Sequence, residues 1–240
     1  MKSILSYGAG VNSTAIIALA LLKEIPMPDY IIFSDTGAEW PHTYKYLNYI
    51  ESKGIKIIYL VGGTKYMNLL EFCQMRNLIP SRMNRWCSDH WKIRPIEYLI
   101  RVIREEIGEC KHYLGFDAGE SHRAENKLSR SRNHDFPLIE FGLNRQGCKN
   151  IIRKAGLGIP HKSGCFICPY QNKAQWIKLK KEQPELWKIA VNLEKEQIKT
   201  NPLFTYRGGM TIDKFVADLD KQEELPFDFA LDQKCECFFD

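Results

Sequence analysis

Cys165 and Cys168 stand two residues apart in Ser163-Gly164-Cys165-Phe166-Ile167-Cys168-Pro169-Tyr170-Gln171. Gly164 before the pair and Pro169 after it favour a tight turn. A C-x-x-C on such a turn is half of a thiolate metal site, a redox pair, or two thiols in an apolar run. A second segment, Ser6-Tyr7-Gly8-Ala9-Gly10-Val11-Asn12-Ser13-Thr14, is rich in small residues and hydroxyls. Small residues let the backbone curl, so that its N–H groups and a following helix N-terminus can hold an anion. The segment has no GK followed by Ser or Thr and is not a Walker A loop.

Two further segments carry charge. Asp35-Thr36-Gly37 offers a carboxylate that can hold a ribose hydroxyl or a metal ion, or simply make a turn. Gly115 to Arg123 (GFDAGESHR) brings Asp117, Glu120 and Arg123 together. Arg123 can clamp an oxyanion bidentately, while Glu120 or Asp117 orients it or binds magnesium.

The elements that must position these residues alternate between strand and helix. Ser3–Tyr7, Tyr30–Ser34, Ile55–Val61, Lys111–Phe116 and Pro137–Phe141 read as five strands. Helices are expected from Ser13 to about Lys23, from Pro41 to Gly54, and over Asn144–Ala155. A further long helix carries Ile96, Leu99, Ile100, Ile103 and Ile107 as one stripe. Such alternation predicts an α/β, Rossmann-like fold: a mostly parallel five-stranded sheet with helices on both faces. Ligands in these sheets sit at the carboxyl ends of the strands, where all three loops fall. Beyond about residue 170 the sequence turns to helices rich in Lys and Glu. The expected organisation is a nucleotide-binding domain over 1–170 and a helical C-terminal extension over 171–240 on the same core.

In this order the segments resemble the PAPS reductase-like branch of the PP-loop ATP pyrophosphatase superfamily. Ser6–Thr14 stands where that family has S-x-S/G-G-G-x-D/Q/N-S-S/T, Asp35-Thr36-Gly37 where it has D-T-G, and Gly115–Arg123 where it has G-x-x-x-x-E-S-x-R. Arg85-Trp86-Cys87-Ser88-Asp89-His90-Trp91-Lys92-Ile93-Arg94-Pro95 resembles its R-x-C-S/T-x-x-x-K-x-x-P element. The resemblance implies an enzyme acting on ATP or on a sulfonucleotide (APS or PAPS). Ser6, Tyr7, Gly8, Ala9, Gly10, Asn12, Ser13, Thr14, Asp35, Thr36 and Gly115 would bind the nucleotide, with magnesium. Lys92, Arg123, Glu120, Asp35 and Cys237 would carry the chemistry. Relatives include DNA phosphorothioation sulfurtransferases and sulfonucleotide reductases. The implied reactions are therefore sulfur transfer through adenylation, or sulfite release; loss of turnover, leaving a nucleotide- or nucleic-acid-binding module, is a third reading. The chain departs from the pattern at Val11 and Asn12, where many relatives carry lysine and aspartate. It departs again at Lys234-Cys235-Glu236-Cys237, which lacks the glycine and histidine of the reductases' E-C-G-I/L-H element.

The resemblance also implies a thiolate site, with Cys87, Cys148, Cys165 and Cys168 holding a 4Fe–4S cluster, or zinc as the rival. Cys148 alternatively packs with Ile151, Ile152 and Ala155 on an apolar helical face. Cys73 and Cys110 read as core or surface thiols. Trp86, Trp91 and Trp176 can stack a base or belong to the core. His122–His134 carries Arg123, Lys127, Arg130 and Arg132, which suit substrate phosphates, a nucleic-acid backbone or a charged surface loop. The expected partners are the nucleotide, a nucleic-acid or small-molecule sulfur acceptor, and a cysteine desulfurase- or thioredoxin-type donor; a homodimer is compatible. The net charge of +5 permits a polyanion without requiring one. With no apolar run near the roughly 20 residues of a membrane span and no signal-peptide pattern, the expected location is the cytoplasm. There, eight cysteines are ligands, redox groups or core thiols rather than disulfides.

Overall fold

The computed structural model describes residues 1–62, 67–125 and 134–220. Five strands, β1 (Ser3–Ser6), β2 (Tyr30–Asp35), β3 (Ile58–Val61), β4 (Lys111–Tyr113) and β5 (His134–Asp135), form one sheet in the order β3-β2-β1-β4-β5. Every pairing is parallel: Ile4 sits opposite Tyr30 on one side and His112 on the other, and His112 opposite His134. A parallel sheet needs a crossover between strands, and both of its faces must be covered.

The side-chain period of two divides β1 between those faces. Leu5, with Tyr113, packs under α1 (Val11–Leu21) and α2 (Pro41–Ser52), in a core that includes Ile16, Leu47, Cys148 and Ile152. Ile4 and Ile32 face the other way, onto Ile96, Ile100 and Ile103. Those three residues are the apolar stripe of a long helix. It is preceded by α3 (Leu69–Arg76), a short α4 (Trp86–Ser88) and a π turn over Asp89–Ile93; α5 itself spans Arg94–Ile107. Pro41 stands in the first turn of α2, where its missing N–H costs nothing. Asn68 and Asn172 each form a reciprocal capping box, with Glu71 and Gln175 respectively.

The C-terminal helices build a further core. After α6 (Ser121–Ala124), α7 (Pro137–Glu140) and α8 (Arg145–Lys154) come α9 (Lys173–Glu182), α10 (Pro184–Thr200) and α11 (Ile212–Asp220). Trp176, Leu179, Ala190, Leu193, Tyr206 and Val216 pack with Trp40, Leu69, Trp91, Cys165 and Phe166 from the sheet side. Glu194, buried in α10, accepts the Tyr206 N–H at 2.9 Å and the Ile212 N–H at 2.7 Å, tying the last helix down. Burial pushes its carboxyl above the ordinary range, and those two N–H bonds oppose the shift. Among the described residues, no helix is long and apolar enough to cross a membrane.

One predicted strand is corrected. Pro137–Phe141 is not strand five: Pro137–Glu140 is the short helix α7, with proline in its first turn, and β5 is the two-residue His134–Asp135 just before it. A five-residue apolar run cannot by itself distinguish strand from helix, and Pro137 fixes φ where a helix begins. Strands three and four are also shorter than the apolar runs that announced them, while α8 occupies Arg145–Lys154 with Asn144 as its N-cap, accepting from the Gly147 N–H at 2.9 Å.

Candidate active site

The pocket begins at the end of β1. The chain passes through Ala9, at a positive φ of 53°, and Gly10 into α1, whose N-cap carries no side-chain hydrogen bond and whose first turn holds no acidic residue. An 11-residue helix with an uncapped N-terminus presents orphan N–H groups and the positive end of its dipole. Ser13 folds back over the loop, its Oγ accepting from the Gly8 N–H at 3.2 Å. Tyr7 and Thr14 lie buried beneath it, their hydroxyls 3.3 Å apart, and desolvation raises the Tyr7 phenol far above its usual range.

Gly115, after β4, runs against this loop. A Cβ there would lie 2.9 Å from the Ser13 nitrogen and 3.2 Å from the Asn12 carbonyl carbon, both backbone atoms, so only glycine permits the approach. Gly115→Ala is expected to push the loop away and lower affinity for an anionic ligand by up to about a hundredfold. ATP titration of the folded variant measures this; unchanged affinity would mean the loop geometry is not used.

Around the α1 N-terminus the pocket is lined by Ser6, Asn12, Ser13, Lys92, Glu120 and Arg123, all named from sequence, by Ser163 from the C-x-x-C segment, and by Arg145 and Lys162, which were not. Four lining cations, Lys92, Arg123, Arg145 and Lys162, face one lining carboxylate, Glu120. Asn12 organises this rim. Its Nδ2 donates to Asp117 Oδ2 at 3.1 Å and to Glu120 Oε2 at 3.0 Å, while its Oδ1 accepts from Arg145 Nη1 at 3.0 Å. Glu120 Oε1 in turn accepts from Arg123 at 2.9 Å, and the Arg123 guanidinium lies 4.4 Å from the Phe116 ring centroid. The guanidinium is therefore held in place before any ligand arrives.

Lys92 reaches the pocket from the π turn, a helix defect that recurs at functional sites. Ser34, at the end of β2, fixes that turn by donating to the Trp91 carbonyl at 2.6 Å. Lys92 Nζ pairs with Glu39 Oε1 at 3.1 Å; the lysine side chain is 11% exposed and the glutamate 1%. Behind this pair stands the first cysteine of the C-x-x-C. Cys165 Sγ lies 3.2 Å from Thr36 Oγ1 and 3.5 Å from Glu39 Oε1, and Glu39 and Cys165 form an isolated antiparallel bridge.

Several expected residues lie away from the pocket lining. Asp35 Oδ1 accepts from the Gly37 N–H and the Tyr44 hydroxyl, both at 2.8 Å, so this oxygen makes the turn rather than facing the pocket. Thr36 bonds Glu39 and Cys165. Cys235, Cys237, Lys127, Arg130 and Arg132 lie outside the described residues. Trp86, Trp91 and Trp176 all belong to or pack on the C-terminal core, where Phe72 meets the first two at a tilt and those two meet each other edge-to-face.

The four cysteines are divided between two cores. Cys87, Cys165 and Cys168 belong to the core around Trp91 and Trp176. Cys148 is fully buried in the other core, against α1 and Ile152, and burial pushes its thiol up to about 12. Burial also raises Cys87, with Lys92 opposing it. Among the described residues, no group of three or more His, Cys, Asp or Glu is arranged to hold a metal ion.

Fold and pocket define a Rossmann-like α/β protein with a cationic pocket at the carboxyl edge of its sheet. No family model matches the sequence. Two uncharacterized proteins of Methanocaldococcus jannaschii are similar to it. One is 25% identical over 218 residues, covering 84% of this chain and 43% of that protein. The other is 23% identical over 202 residues, covering 79% of this chain and 47% of that protein. The chain thus spans less than half the length of these relatives. Among solved structures, phosphoadenylyl-sulfate (PAPS) reductase from Candida auris, in a phosphate complex, is similar with a TM-score of 0.49 and 15% identity. That alignment covers 67% of this chain and 76% of the reductase.

Proposed function

We propose that the protein is an adenine-nucleotide-dependent sulfur-transfer enzyme, an ATP pyrophosphatase that activates its acceptor by adenylation. The observation that carries this reading is the uncapped N-terminus of α1 ringed by Lys92, Arg123, Arg145 and Lys162. A phosphate chain satisfies the orphan amides and the cations together. With magnesium ATP bound there, an acceptor oxygen attacks the α-phosphorus and pyrophosphate leaves. A sulfur nucleophile then displaces AMP from the adenylated acceptor, forming the carbon– or phosphorus–sulfur bond. Arg123, preset by Glu120, offers two parallel N–H groups to charge that builds on the equatorial oxygens. Lys92, preset by Glu39, offers a point charge from the opposite wall.

Purified full-length protein incubated with magnesium ATP and candidate acceptors is expected to release pyrophosphate and form AMP. Arg123→Met is expected to slow that release by about a hundredfold or more. No pyrophosphate with any nucleic-acid or small-molecule acceptor would overturn the reading. The same pocket suits the phosphosulfate of APS or PAPS, so sulfite release is the second reading. Sulfite formed from either sulfonucleotide, with none of the ATP chemistry, would select it. Ligand binding without either product would leave a binding module.

A further inference from the structure

The register of the sheet places three polar side chains on one face of it. Ser6 lies two residues beyond Ile4, so both point toward α5, and His112, opposite Ile4, pairs in turn with His134. Ser6 Oγ is 2.7 Å from His112 Nε2, and both residues are buried. The His112 and His134 rings meet edge-to-face at 4.6 Å. Ser6 lines the cationic pocket, whereas His112 and His134 line a second pocket beneath α5 with Glu97, Arg101, Arg104 and Glu105. The serine hydroxyl and the imidazole therefore join the floor of the candidate site to a separate polar pocket beneath α5.

A serine hydroxyl has one proton to donate. If it donates to His112 Nε2, it turns only lone pairs toward the pocket, and lone pairs repel an oxyanion. For Ser6 to donate to a bound anion, Nε2 must carry a proton and donate to Oγ. The neutral Nε2–H tautomer supplies that proton too, but the imidazolium also adds a positive charge one residue behind the ligand, so an anion in the pocket favours it most.

We infer that His112 is a proton-linked positioning residue: anion binding at the α1 N-terminus draws a proton onto His112, which turns the Ser6 hydroxyl toward the ligand. The proton enters from the second pocket through the His134 side, and it leaves the same way on release. Ser6 from β1 and His134 from β5 touch His112, and Glu97, Arg101, Arg104 and Glu105 from α5 line the same second pocket. The two arginines oppose the added charge and the two glutamates support it. The inference rests on the anion pocket of the proposed function, not on the reaction performed there.

Calorimetric titration of the full chain with sodium sulfate and, separately, with ATP provides the test, because sulfate carries no titrating proton between about pH 6 and pH 8. Sulfate binding is expected to tighten several-fold on acidification across the ordinary imidazole range, with proton uptake seen as a dependence of the heat on buffer ionisation. His112→Gln, which keeps an N–H donor but cannot titrate, is expected to bind sulfate with a flat pH profile and no uptake. Ser6→Ala, which leaves His112 in place, is expected to weaken binding and lose most of the linkage. Sulfate binding without proton uptake in the wild type, or the same pH profile in His112→Gln, would overturn the inference. Linked sulfate binding with no affinity for ATP or a sulfonucleotide would leave the relay standing and remove the nucleotide reading. Absence of binding by every anion would remove both.

Discussion

Lys92→Met is expected to lower stability by roughly 3–5 kcal/mol and at the same time to weaken anion binding. Removing the ammonium leaves the Glu39 carboxylate, 1% exposed, without the cation it meets at 3.1 Å. A charge stranded in that position costs more than the pair itself contributes, because its desolvation is no longer offset. In a chain of this size the corresponding fall in thermal midpoint is on the order of 10 °C. Lys92→Met combined with Glu39→Leu should recover most of that midpoint, since neither charge then remains buried. The double variant should still bind ATP poorly, because the pocket has lost a lining cation. Calorimetric melting of wild type, both single variants and the double variant closes the cycle. An unchanged midpoint in Lys92→Met would show that the pair does not hold the π turn against the loop after β2.

Asn12→Asp should be nearly as damaging, although it changes one atom type. Asn12 donates to Asp117 and Glu120 from a single amide nitrogen at 3.1 and 3.0 Å. Aspartate replaces that donor by a third carboxylate oxygen, and only the Arg145 contact at 3.0 Å can persist. Two lost hydrogen bonds to charged acceptors, with like-charge repulsion added, should destabilise by roughly 2–4 kcal/mol at neutral pH. The sign with pH follows. Crowding by two carboxylates raises the folded-state affinity of the cluster for a proton. The variant is therefore least impaired below the unfolded carboxylate range and loses stability as pH rises through the folded value. Thermal midpoints near pH 4.5 and pH 8 should differ from those of the wild type by clearly unequal amounts, with the larger deficit at pH 8. ATP affinity at neutral pH should fall by about tenfold or more, since the added charge faces the pocket. Equal deficits at both pH values would mean that Asn12 is not the neutral spacer between the two acids. Asn at position 12 thus has a local reason in this chain: Asp117 and Glu120 already supply the negative charge, and a donor is needed between them.

Much of the site was legible in the residues. The small-residue run Ser6–Thr14 lets the backbone curl, and the helix that follows it brings its N-terminus to the end of β1. Gly115 and Arg123 in one short loop, and Lys92 seven residues after Arg85, were visible as segments with chemistry but no location. The strand–helix alternation then placed their loops on one sheet edge. Arg145 and Lys162 carried no such signal. Arg145 opens a helix of mixed polarity and Lys162 sits in an irregular stretch before the C-x-x-C, so only packing of α8 on α1 and of the 163–166 segment along Ala38–Trp40 brings them to the pocket. Glu39 lies two residues past Asp35-Thr36-Gly37, and its partnership with Lys92 spans 53 positions of sequence and depends on the π turn.

The cysteines show the limit most plainly. Spacing makes Cys165 and Cys168 neighbours whatever the fold, because two intervening residues cannot carry them far apart. Cys148 could join them or not, and helical periodicity allowed both outcomes: its face also carries Ile152, which seeks the core. The tertiary structure sends that face against α1, and the cost of leaving a helix stripe in water exceeds anything a lone thiol gains elsewhere. Local sequence determined the loops, the strand period and the side of the sheet on which they open. Which distant charges meet there, and which thiols do not, was decided by how the amphipathic helices bury their apolar faces, a choice made by the whole chain and by no single segment.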